Sequence, residues 1–137
     1  MAVVEELIRK EADGTLSFGN FALDKKAKVS DFPYEGDLYK IKTFYEITKL
    51  ERNGMFVYES VPGTTVTNMK YAKDGISFFV EGKDDAQITL GMEPDKEYEV
   101  SIQGKETNVV KTNLAGKLSA SVELNADTPV EVKIIAK

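Results

Sequence analysis

The chain has 137 residues and contains no histidine, no cysteine and no tryptophan. Without cysteine there is no disulfide, no thiolate nucleophile and no thiolate-ligated zinc or iron–sulfur cluster. Without histidine there is no Ser-His-Asp triad and no imidazole metal site, and no side chain has an ordinary pKa between about 5 and 8. Without tryptophan, any ring-stacking surface must be built from the 6 tyrosines and 7 phenylalanines. Long apolar runs are also lacking. Nothing approaches the roughly 20 consecutive apolar residues of a membrane helix. The first ten residues, MAVVEELIRK, place Glu5 and Glu6 where a secretory leader would run on through an apolar core. A cytoplasmic protein with no membrane partner is therefore expected. No residue pattern calls for a metal or a cofactor, and none assigns a catalytic residue.

Charge points the same way. The 18 Lys and Arg stand against 23 Asp and Glu, for a net charge of −5. A nucleic-acid partner asks for clustered cations. The densest basic run, Lys25-Lys26-Ala27-Lys28, is short and reads as a solvated strand or turn. No nucleic-acid partner is expected.

What is present is punctuation. Asp13-Gly14, Glu35-Gly36, Asn53-Gly54, Pro62-Gly63, Asp74-Gly75, Gln103-Gly104 and Ala115-Gly116 mark turns along the whole chain. Between them lie short runs rich in Val, Ile, Thr, Tyr and Phe. Tyr98, Val100 and Ile102 alternate with polar residues. So do Leu118, Ala120, Val122 and Leu124, and again Val130, Val132, Ile134 and Ala136. A period of two is the signature of half-buried strands. Only Val3 to Arg9 offers a helical spacing, and a strand is favoured there because one helix would stand alone in an all-β chain. The count is roughly eleven strands of ordinary length. Two packed sheets would bury one face of each. The expectation is an all-β antiparallel sandwich with little or no helix, as a single domain over residues 1–137. Two small lobes meeting near residues 60–65 are the alternative.

Three features invite a functional reading. Asp84-Asp85 could bind calcium only if a loop made the two carboxylates converge, and an acidic turn explains them as well. Glu93-Pro94-Asp95-Lys96-Glu97 suits a type I turn before a strand, and its acids could serve as a glycosidase pair only at a separation that sequence does not define. The aromatics are more informative. Phe32, Tyr34, Tyr39, Phe44 and Tyr45 fall within fourteen positions, and Phe78 and Phe79 are adjacent. Neighbours on a strand face opposite ways, so one ring of each adjacent pair leaves the main core. A second layer, a partner chain or a ligand must cover it. The five aromatics from Phe32 to Tyr45 are thus the candidate partner or ligand surface. The strongly β-forming end, Val130 to Lys137, is either an internal strand or one donated to a neighbour.

Several stretches also resemble a known family. MAVVEELIRKEADGTLSF from Met1, EGDLYKIKTFYEITKLERNG from Glu35, GMFVYESVPGTT from Gly54 and KTNLAGKLSASVEL from Lys111 are similar to a family of short bacterial all-β proteins labelled endosialidase. The last stretch also resembles β-sandwich modules appended to carbohydrate-active enzymes. The label implies cleavage of polysialic acid. The matched segments are turns and strands, a propeller of four-stranded blades does not fit in 137 residues, and only Arg9 and Arg52 are present for a sialidase-like arginine cluster. No catalytic residue carries over. The function expected is non-catalytic binding or assembly: a homo-oligomer, or a module for a protein or glycan partner. The alternative is a carbohydrate-active role, as a glycan-binding module or a carboxylate-based glycoside hydrolase.

Overall fold

The computed structural model describes residues 3–125 and 128–137, with the backbone alone at 106 and 107. Met1 and Ala2, which head the N-terminal segment, lie outside the described residues. Among the described residues thirteen strands follow one another: β1 (Ile8–Lys10), β2 (Leu16–Phe18), β3 (Ala27–Tyr34), β4 (Asp37–Thr43), β5 (Thr48–Arg52), β6 (Met55–Val61), β7 (Thr65–Ala72), β8 (Gly75–Glu81), β9 (Ala86–Gly91), β10 (Glu97–Ile102), β11 (Lys105–Lys111), β12 (Lys117–Val122) and β13 (Val130–Ala136). Eleven have five to eight residues, and β1 and β2 have three each. No helix occurs among the described residues. The all-β sandwich expected from the alternating runs is what the chain forms.

One sheet has seven strands in the order β1-β2-β7-β8-β13-β10-β11, and the other six in the order β12-β9-β6-β5-β4-β3. Every described pairing is antiparallel. Both sheets mix strands from before and after residues 60–65, since β2 pairs with β7 and β6 with β9. The C-terminal run is internal. β13 has β8 on one side and β10 on the other, so it is not donated.

The hairpins obey a local rule. Asn53 and Gly54 both have positive φ (50° and 79°), as a two-residue type I′ loop requires. Glu35-Gly36 and Gln103-Gly104 repeat that geometry. Asp74-Gly75 differs. The loop there is Lys73-Asp74, and Gly75 opens β8, where a Cβ would run into the Ile134 carbonyl of β13. Two readings near chain turns need correction. The strand expected over Val3 to Arg9 begins only at Ile8, because Leu7 turns the chain with a φ of 74°. Asp95 has a φ of 53°, which type II geometry has at its third position and type I lacks.

The core lies between the sheets. Ile41, Leu50, Ile88, Leu90 and Leu118 of the six-stranded sheet meet Val66, Ile76, Val80, Val132 and Ile134 of the other. Tyr58 reaches across with its ring edge-on to Phe18 (5.3 Å) and Phe78 (5.9 Å). Such pairs add about 0.5–1.5 kcal/mol beyond their burial.

Candidate binding site at the Pro62 end

At one end of the sandwich the chain passes between sheets at Pro62-Gly63, and three other connections gather around that crossing. They are the β2–β3 loop, the β4–β5 turn and the β8–β9 turn. Together they enclose an open cavity of about 820 Å³. Phe21, Tyr45 and Pro62 supply its apolar surface. Asp24, Lys83 and Asp84 stand at its edge, all exposed. Backbone hydrogen bonds fix the frame: Tyr45 N–H donates to the Leu23 carbonyl (3.0 Å), and Gly63 N–H donates to the Tyr45 carbonyl (3.0 Å). Gly63 is there of necessity, since a Cβ would run into the Phe44 carbonyl oxygen.

A buried hydroxyl network ties this frame to the strands. Thr48 Oγ1 donates to the Thr64 carbonyl (2.8 Å) and accepts from Thr64 N–H (3.1 Å). Its proton being spent, Thr43 Oγ1 is the donor in their 2.8 Å contact, and Thr43 in turn accepts from Asn20 N–H (2.9 Å). Thr64 Oγ1 lies 2.7 Å from both Tyr58 Oη and Ser60 Oγ. Thr65 Oγ1 donates to the Gly19 carbonyl (2.9 Å). Among the described residues no buried side-chain polar atom lacks a partner. A fully satisfied network of this kind rigidifies what it holds. Burial pushes the Tyr58 hydroxyl up to about 12, against the pull of its Thr64 and Ser60 hydrogen bonds.

The five candidate aromatics do not form one surface. Tyr39 is 3% exposed and packs in the core. Phe32 and Tyr34 are half-buried against it, with Tyr34 edge-on to Tyr39 at 5.6 Å. Tyr34 Oη donates to the Gly14 carbonyl (2.7 Å), which pins β3 to the β1–β2 turn. Burial raises the pKa of both tyrosines. Phe44 is half-buried and braces Tyr45 edge-on at 5.4 Å. Tyr45 alone stands out, 52% exposed and lining the cavity. Its pKa is raised by the neighbouring Glu46 carboxylate, first through a hydrogen bond and then through charge.

The acidic turns separate in the same way. Asp85 Oδ1 accepts from Leu124 N–H (2.9 Å) and so holds the end of β12, while Asp84 lines the cavity. Glu93 pairs with Lys96 (3.0 Å) and Asp95 with Lys111 (3.1 Å). Among the described residues no group of three or more carboxylates is placed to hold a metal ion, and no helix is long and apolar enough to cross a membrane.

Phe21, Asp24, Pro62, Lys83 and Asp84 were not singled out as cavity residues by sequence. They come from connections far apart in the chain. An available signal is the hydroxyl residues Thr43, Thr48, Ser60 and Thr64, which stand at or next to the ends of their strands.

Fold and site together define an antiparallel β-sandwich with a loop-built cavity at one end. Comparison with protein-family models, with curated proteins and with solved structures finds no match for the chain.

Proposed function

We propose that this protein is a non-catalytic binding module and that the cavity at the Pro62 end takes a glycan. The observation that carries the reading is Tyr45, a half-exposed ring braced edge-on by Phe44 and lining an open cavity of about 820 Å³. That volume lies in the usual range for ligand sites, roughly 300–1,000 Å³. A tyrosine face stacks on the apolar face of a sugar ring at small entropic cost. Asp24 and Asp84 accept hydrogen bonds from sugar hydroxyls, and Lys83 donates. The resemblance of the Lys111–Leu124 stretch to modules of carbohydrate-active enzymes supports the same ligand class.

The test is an NMR titration with a panel of neutral and acidic oligosaccharides. The expected result is shifts confined to residues 21–24, 44–47, 62–64 and 82–85, abolished by Tyr45→Ala. A panel that leaves those residues unmoved overturns the glycan reading. Incubation with polysialic acid tests the other half, because release of shorter oligomers would make the protein a hydrolase.

Self-association is the second reading, and the sheet edges favour it. β11 and β12 follow each other in the chain and are edge strands of different sheets, so both open edges lie on one flank. Leu114, between them, is 87% exposed. The opposite flank is guarded. β1 has only three residues, and β3 carries a bulge between Val29 and Phe32 followed by Pro33. Light scattering across a concentration series decides, and a monomer at every concentration sinks this reading.

A further inference from the structure

The outer face of the six-stranded sheet carries a row of lysines that neither proposed surface uses. Lys28 on β3 stands opposite Lys42 on β4, and Lys42 stands opposite Lys49 on β5. Their inward neighbours Ile41, Thr43, Thr48 and Leu50 are buried, so the lysines point to solvent. Adjacent strands lie about 4.8 Å apart, so three ammonium-bearing side chains rise side by side. Lys40 joins them from the next outward position of β4, and the four border a shallow groove of about 160 Å³ with Glu51.

Like charges placed directly opposite on neighbouring strands destabilise a sheet. Relief within the chain is incomplete. Glu51 faces Lys40 in register and Glu59 faces Lys49. Yet among the described residues the ion pairs all lie elsewhere, and none of the four lysines comes within 4.0 Å of a carboxylate oxygen. A chain of net charge −5 thus concentrates unpaired cations on one face, where a polyanion would relieve their repulsion.

We propose that this row is a docking strip for an extended acidic polysaccharide. The same row continues through Glu59 to Thr89 and Ser119, with Gln87 and Ser121 one step along. A polymer carrying hydroxyls as well as acidic groups therefore meets cations on β3–β5 and then hydroxyl and amide groups on β9 and β12. Nucleic acid is favoured by arginine forks and open rings for base stacking. The groove has neither, and Phe56, in register with Glu51, lies under the Lys117 ammonium (4.8 Å).

The strip shares no residue with the Tyr45 cavity, so the two are tested apart. Binding of the whole protein to polygalacturonate, heparin and single-stranded DNA is measured from low to high salt. The expected result is polysaccharide binding that weakens as salt rises, falls about tenfold or more in the Lys28→Gln, Lys42→Gln, Lys49→Gln triple variant, and persists in Tyr45→Ala. A Lys133→Gln variant on the other sheet leaves it unchanged. Urea unfolding of the triple variant, with a midpoint equal to or above the parent's, certifies that the lost binding is not lost folding. Absence of polysaccharide binding at low salt, or equal binding by the triple variant, overturns the proposal. So does tighter, lysine-dependent binding of the DNA, which would make nucleic acid the occupant.

Discussion

Tyr58 Oη lies 2.7 Å from Thr64 Oγ1, and this buried contact joins the centre of the six-stranded sheet to the crossing that forms the cavity wall. Tyr58 is at the same time the ring that meets Phe18 and Phe78 across the core. Core packing and cavity geometry are therefore coupled through one side chain. The hydroxyl of Thr64 serves both Tyr58 and Ser60, so its loss takes a partner from each.

Thr64→Val removes that hydroxyl while keeping the side chain's shape. Two buried hydroxyls each lose one partner, at a cost of about 1–3 kcal/mol. The urea midpoint falls by the corresponding amount with no change in the slope of the transition. A midpoint within error of the parent would mean that the network does not hold the loop.

Gly63→Ala is a steric test of the same frame. The new methyl group, whose position the Gly63 backbone fixes, meets the Phe44 backbone carbonyl, so neither side can rotate away. A loss of more than about 2 kcal/mol is expected, with amide shifts spreading to Phe44 and Tyr45. Parent-like stability would show that the crossing is looser than the hydrogen bond from Gly63 to Tyr45 implies.

The aromatics divide into holders and presenters, and two variants separate them. Tyr34→Phe loses the hydrogen bond to Gly14, and with it about 1 kcal/mol. It leaves glycan binding untouched. Tyr45→Ala removes a half-exposed ring and changes stability by no more than about 0.5 kcal/mol, while binding is lost. The opposite pattern, a costly Tyr45→Ala and a neutral Tyr34→Phe, would return the binding surface to β3.

Much of the fold was legible because its rules are local. Alternation marks the buried faces of β10, β12 and β13, and dipeptides such as Asn53-Gly54 dictate their own turn. The adjacency argument holds for Phe78-Phe79 on β8, where Phe79 is the exposed member, whereas Phe44-Tyr45 lies beyond the end of β4 in a turn, where strand alternation does not apply. It does not say which exposed ring has a cavity around it. That depends on Phe21, Pro62 and Asp84 arriving from other parts of the chain, and no local pattern announces such a meeting. The lysine row was hidden for the same reason. Lys28, Lys42 and Lys49 are ordinary surface residues until strand register sets them side by side, and the bulge in β3 shifts that register between Val29 and Phe32.

Alkaline titration gives a global check on the core. Burial pushes Tyr58 and Tyr71 up to about 12 from an ordinary 10, with Arg52 partly opposing the rise at Tyr71. Tyr71 is 40% exposed, so solvent stabilises its ionised form more readily than that of Tyr58. A raised tyrosine pKa means that folding favours the neutral form. The stabilisation is fully present below pH 10, the unfolded value, and is lost as pH rises through about 12. Tyrosinate absorbance should therefore rise in two stages, and the late stage should coincide with loss of β-sheet circular dichroism as Tyr58 ionises. Tyr58→Phe should remove part of that late stage. A single rise near pH 10 with the sheet signal intact would show that the Tyr58 hydroxyl is open to solvent and that the core is not closed around it.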